Sequence, residues 1–136
     1  MTGNELITPA LRMLGILQET ESASAEQAAT GLVTLNDMMA ALAGEGVDLG
    51  YAPQSDPTAD IGINIEDRQH LKNLLAVMLA PEYDRQIHPV IAALANDGRN
   101  TLLRNALIRN PVPRAQTAPR GEGQWGRGVW DITLPR

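Results

Sequence analysis

Cysteine is absent from this chain, and with it disulfides, thiolate nucleophiles and cysteine-based metal sites. Phenylalanine is absent as well, so the core must be built from Leu, Ala and Met, a palette that favours closely packed helices over a sheet. There is no run of about eighteen apolar residues, which excludes an expected membrane span. A basic patch followed by an apolar stretch is also missing from the N-terminus, so no signal peptide is expected. The expected setting is a soluble protein made in a cytoplasm. Within 136 residues there is room for one core but not two.

What is present is unevenly charged. From Arg109 onward five arginines stand against Glu122 and Asp131, a net of +3, whereas residues 1–108 hold six basic and fourteen acidic side chains, a net of −8. An acidic body argues against general nucleic-acid affinity, because duplex binding depends on neutralising phosphates with Lys and Arg. It suits a surface that DNA must pass without sticking.

The apolar periodicity predicts an all-α fold, a small four-helix bundle with a long loop between helices two and three and an extended C-terminal arm. Thr2-Gly-Asn-Glu5 has capping-box spacing, and Leu6, Ala10, Met13, Leu14 and Leu17 recur on one face, giving a first helix over about 3–17. Pro9 and Gly15 are its weak points. Ser24-Ala-Glu-Gln27 is a second capping box, and Ala28, Leu32, Leu35, Met39 and Leu42 carry helix two over about 25–43 until Gly44 and Gly46. Residues 45–65 contain Gly50, Pro53, Pro57 and Gly62 and no helical period, and loops of that length are usually functional or mobile.

Glu66 and Asp67 suit the N-terminal dipole of helix three, whose stripe is Leu71, Leu74, Leu75, Met78 and Leu79 and whose end is Pro81. Helix four begins near Pro89 and continues through Val90, Ile91, Leu94, Leu102, Ala106 and Leu107 to Arg109, with Gly98 weakening its middle by about 1 kcal/mol. Asn110-Pro111 stops it. The domain plan is therefore a helical body over 1–109 and an arm over 110–136.

Catalytic chemistry is hard to find. His70 and His88 are the only imidazoles, without a ligand pattern such as H-E-x-x-H, and read as surface or helix-end residues rather than metal ligands or bases. Glu66/Asp67 and Glu82/Asp84 are adjacent carboxylates, but a hydrolase pair needs two environments across a cleft, so helix-terminal charge is the better reading. Gly121-x-Gly-x-x-Gly126 imitates a dinucleotide fingerprint, yet no strand precedes it and no helix can follow it. Met38, Met39 and Met78 read as core filling more readily than as an adaptable face. No catalytic residue, metal or cofactor is expected.

Both tryptophans, Trp125 and Trp130, fall in the glycine-rich terminal stretch, where four glycines between Gly121 and Gly128 deny local stability. The indoles must find a surface elsewhere. Two buried indoles offer on the order of 10 kcal/mol gross, whereas ordering the last seventeen or so residues costs on the order of 17–34 kcal/mol in backbone entropy. Backbone pairing would have to supply the balance, and Val129 to Leu134 alternates as a strand that could add to a partner's exposed edge. Without a lysine cluster, Arg114, Arg120 and Arg127 fit a protein groove better than nucleic acid.

Four segments, in their order and spacing, carry a family resemblance: Ala10-Leu-Arg-Met-Leu-Gly15, Leu35-Asn-Asp-Met-Met-Ala40, Asp48-Leu-Gly-Tyr-Ala52 and Leu79-Ala-Pro-Glu-Tyr83. Together they resemble the packaged-DNA stabilisation family, the head-to-tail adaptors or tail accessory factors of short-tailed bacteriophages. The resemblance implies a structural adaptor of the virion, assembled in the host cytoplasm as a ring of about twelve copies beneath the portal protein. Such a ring would extend the DNA channel, help retain packaged DNA and accept the downstream tail or nozzle protein. Twelve chains of net charge −5 would carry −60, a wall that resists phosphate adhesion and lets packaged DNA pass without sequence-specific binding. It also implies that the arm is the portal-docking element, here Arg120, Trp125, Arg127, Val129, Trp130, Ile132 and Leu134. No membrane and no enzymatic activity are implied. The alternatives are a peptidoglycan-cleaving protein and a phage assembly factor that never enters the virion.

Overall fold

The computed structural model describes residues 1–109. Within them the chain folds as four α-helices, α1 Asn4–Met13, α2 Ala25–Gly44, α3 Arg68–Leu79 and α4 Pro89–Arg109, so the all-α expectation holds. Helix α3 is the hub, packing against α1, α2 and α4. Its Leu71, Leu75 and Leu79 are fully buried, as are Leu6, Ile7 and Leu11 of α1 and Leu35 of α2.

Helix α1 is shorter at its C-terminal end than the periodicity predicts. Gly15 turns left-handed at φ +68°, its N–H bonds to the Arg12 carbonyl at 3.0 Å and that of Ile16 reaches Leu11 at 3.1 Å. This paired closure satisfies the last carbonyls and ends the helix. Leu14 and Leu17 still reach the core, from the turn rather than from a helix. The N-terminal capping box forms by half: the Thr2 N–H donates to Glu5 Oε2 at 3.0 Å, but Gly3 is the cap residue and its helix end receives no side-chain bond. Thr2 is drawn instead into an antiparallel bridge with Asp60. Pro9 leaves the Glu5 carbonyl without its helical donor, and Arg68 Nη2 supplies one at 3.4 Å.

Helix α2 forms where its sequence signals put it. Both halves of the Ser24/Gln27 capping box are made, at 3.3 and 2.9 Å. Its C-terminus repeats the closure of α1: Gly46 is left-handed at φ +92°, and the Val47 N–H returns to the Leu42 carbonyl at 2.9 Å while Val47 itself is buried. Gly31 sits where α2 crosses α1. A Cβ there would lie 2.5 Å from Ile7 Cγ2, so the crossing depends on the missing methyl.

The stretch between α2 and α3 is packed, not hanging. Val47, Ile61 and Ile63 enter the core, the Asn4 N–H donates to the Pro57 carbonyl at 2.9 Å, and the Ile61 N–H to the Met1 carbonyl at 2.9 Å. A short 3-10 turn, Ile65–Asp67, then precedes α3, and another, Pro81–Tyr83, follows it. Glu66 and Asp67 therefore lie in the turn ahead of the helix they were expected to open.

Helix α4 has the predicted span, but only part of its expected stripe turns inward, Leu102 and Ala106 among it. Ala95, Gly98, Leu102 and Ala106 are buried, whereas Val90, Leu94 and Leu107, expected on the apolar stripe, are 57%, 46% and 69% exposed. Small residues let α4 approach α3 closely. Gly98 belongs to that contact, since a Cβ on it would meet His70 at 3.1 Å. A position that reads as a helical weakness is thus a packing requirement.

Candidate functional site

The residues expected to dock a partner, Arg120, Trp125, Arg127, Val129, Trp130, Ile132 and Leu134, lie outside the described residues, as does the arm from 110 onward. What the structure fixes is the place from which that arm departs. Arg109, at the end of α4, pairs through Nη1 with Asp67 Oδ2 at 3.3 Å, and Asp67 is almost wholly buried. Taking a carboxylate out of water requires such a partner. The pair ties the last turn of α4 to the start of α3.

The candidate chemical groups are dispersed. His70 lies in the α3–α4 contact against Gly98. His88 precedes α4 and caps it, its Nδ1 accepting from the Val90 N–H at 3.3 Å and its carbonyl from Ile91 at 2.9 Å. The two carboxylate pairs separate as well: Glu66 is exposed while Asp67 is buried against Arg109, and Glu82 and Asp84 occupy an exposed turn in which Asp84 is left-handed at φ 49°. Among the described residues no three His, Asp or Glu side chains cluster as a metal site. Met38 and Met39 fill the core, whereas Met78 is partly exposed.

The 45–64 segment is organised by two devices that period counting does not reveal. Asp48, Asp56 and Asp60 each fold back on the N–H two residues ahead, at 2.8, 2.8 and 3.0 Å. Asx turns of this kind replace backbone pairing in a loop. The Thr58 hydroxyl, then its N–H, hold the Asp56 carboxyl below its ordinary range. For Asp60 the Gly62 N–H does so first, followed by the Met1 ammonium at 3.0 Å. The second device is Asn36 on α2. Its Oδ1 accepts from the Tyr51 hydroxyl at 2.5 Å and the Gln54 N–H at 3.1 Å, and its Nδ2 donates to the Gln54 carbonyl at 3.0 Å. Burial raises the Tyr51 phenol pKa above its ordinary value, against the opposing pull of the Gln54 backbone bond.

Holding the loop against α2 leaves an apolar groove of about 430 Å³. Ala25, Ala28, Ala29, Leu32 and Val33 line its helical side and Pro57 its loop side. A smaller hollow of about 190 Å³ lies between α2, α3 and α4, over Met38, Leu74 and Met78 and beside Arg99. Arg99 Nε bonds to Glu45 Oε2 at 3.0 Å, and its guanidinium also contacts Glu45 Oε1, so this pair links α4 to the C-terminus of α2. The charge division is sharper on the folded body than along the chain as a whole. Between Met13 and Asp67 there is no Lys or Arg and there are ten acidic residues.

The described residues thus form a small all-α body with apolar grooves and an acidic surface. The chain belongs to the P22 tail accessory factor family, whose model matches residues 1–127. It is accordingly a phage tail accessory protein with a structural role in the virion. The match takes in the helical body and the arm through Arg127, and leaves Val129, Trp130, Ile132 and Leu134 beyond it. No curated protein matches the chain.

Proposed function

We propose that the protein is the head-to-tail adaptor of a short-tailed phage, a ring of about twelve copies beneath the portal that extends the DNA channel and offers the docking surface for the next tail component. The observation that carries this reading is the family match over residues 1–127, which spans the helical body and most of the arm. The acidic body supports a conduit role: DNA moving past it meets repulsion rather than phosphate-neutralising side chains. The arm is the portal-binding element, with Trp125 and Trp130 as anchors, Val129 to Leu134 pairing through its backbone, and Arg120 and Arg127 at the rim. Twelve arms on one partner ring add avidity to a weak individual contact.

Removing residues 120–136 tests the assignment. Helix content and thermal melting should stay nearly unchanged while binding to purified portal rings is lost, and a truncated protein that still binds refutes the arm's role. Replacing Trp125 and Trp130 by Ala should weaken binding more than replacing Arg114, because buried indoles and not rim charges carry interface energy. Counting subunits in images of the portal complex checks the stoichiometry.

A further inference from the structure

The α2–loop groove and the C-terminal arm are complementary, and we infer that in the free protein the groove holds the chain's own arm around Trp125 and Arg127. The groove's floor suits an aromatic ring. Ala25, Ala28 and Ala29 present only methyl groups, Leu32 is buried behind them, and Val33 forms a wall that is 61% exposed. At about 430 Å³ the space falls within the roughly 300–1,000 Å³ typical of sites that enclose small ligands, and it accommodates an indole. Ser55 at the rim offers a hydroxyl acceptor for the indole N–H.

Charge selects the occupant. Glu26 and Asp37 flank Val33 on the same face of α2, seven residues before and four after, and Asp56 lies between the loop-side lining residues Ser55 and Pro57. All three are exposed, and none is in an ion pair among the described residues. A second folded body offers this rim a surface poorer in cations than the arm does. Residues 110–136 carry four arginines against two acidic residues and place Arg127 two positions from Trp125, so an indole in the groove sets a guanidinium at the acidic rim.

The exit point permits the contact within one chain. Arg109 is tied to Asp67 at 3.3 Å, the adjacent Arg68 to the Glu5 carbonyl at 3.4 Å, and Asn4 to the Pro57 carbonyl at 2.9 Å, so the arm leaves from the end of the body that carries the groove wall. Trp125 follows Arg109 by sixteen residues, which span at most roughly 50–60 Å. The parked arm and the portal-bound arm are then alternatives, and the groove keeps Trp125 covered until a portal ring draws the arm out. That consequence rests on the adaptor reading, whereas the contact itself does not.

Both tryptophans lie beyond Arg109, so indole emission reports on the arm alone. The full-length protein should show blue-shifted emission and acrylamide protection that persist through a hundredfold dilution. Val33→Arg, at an exposed position, should leave the far-UV circular dichroism unchanged and raise the quenching constant at least twofold. Glu26→Lys with Asp37→Lys should do the same without altering the groove's apolar floor. Wild-type emission equal to that of a free indole, or protection indifferent to both variants, overturns the inference; protection lost on dilution assigns the groove to a second copy and overturns it equally. Portal binding is measured separately. Val33→Arg should bind portal at least as fast as wild type, and failure of wild type to bind would refute the adaptor reading while leaving the emission result standing.

Discussion

Replacing Gly31 by Ala sets two opposed effects against each other within one helix. A glycine inside α2 sacrifices about 1 kcal/mol of helix propensity relative to alanine, so Gly31→Ala would stabilise an isolated helix. In the folded protein the new Cβ would stand 2.5 Å from Ile7 Cγ2 and 3.1 Å from its Cγ1, with Ile7 fully buried and unable to swing aside. Normal carbon contacts lie at about 3.5–4.0 Å, so α1 and α2 must separate by the order of 1 Å. Overpacking of that kind costs about 1–3 kcal/mol, and subtracting the propensity gain leaves a net loss of up to about 2 kcal/mol. Gly44, in the last turn of the same helix, has nothing within 4 Å of its Cβ position and serves as the control. Gly44→Ala should be neutral or stabilising by up to about 1 kcal/mol. Urea unfolding followed at 222 nm measures both. Combining Gly31→Ala with Ile7→Ala should recover part of the loss, with a coupling energy of about 1 kcal/mol or more. Equal responses at Gly31 and Gly44, or additivity in the double variant, would refute a crossing set by the missing methyl.

Three further outcomes follow from the loop and its anchors. Asn36→Ala removes three hydrogen bonds to Tyr51 and Gln54 and should cost about 1–3 kcal/mol, with faster amide exchange and proteolysis confined to residues 48–58. Asp60 is held below its ordinary range, so its contribution is present above the unfolded carboxyl pKa and lost as pH falls through the lower folded one. NMR titration should place its midpoint below 3.8, and Asp60→Asn should remove this acid-dependent loosening of the Met1–Asp60 contact. Tyr51 and Tyr83 are both raised, chiefly by burial, so the stability they contribute is present below the unfolded phenol pKa and lost as pH rises through the folded one. Absorbance at 295 nm should show both phenols ionising above pH 10, and Tyr51→Phe should remove one of the two transitions.

Much of the helical plan was legible because its signals are local. Ser24 and Gln27 act across a single turn, and Pro89 marks the start of a helix wherever the rest of the chain goes. The failures share a cause. Thr2 could cap α1 by its spacing, but Asp60, distant in sequence, takes it into a bridge. The apolar stripe of α4 suggested Val90, Leu94 and Leu107 beside Leu102 and Ala106 as inward residues, whereas close approach to α3 keeps Leu102 and Ala106, adds Ala95 and Gly98, and leaves the other three exposed. Asn36 carried no periodic signal at all, since a side-chain amide that organises a loop is recognisable only once the loop lies beside it. The groove was equally invisible, being a product of that placement.

By itself the sequence determined the number and order of the helices, the separation of an acidic body from a basic arm, and the ordered series of segments that marks the family. These depend on composition and on neighbours within a turn or two, where the chain's covalent connectivity already enforces proximity. The tertiary structure decided which face of α4 turns inward, that Gly31 and Gly98 are contacts, that the 45–64 segment is pinned by Asn36, and that a groove opens under an acidic rim. Those outcomes are set by packing between elements far apart in the chain, where one methyl group at a helix crossing outweighs local propensity.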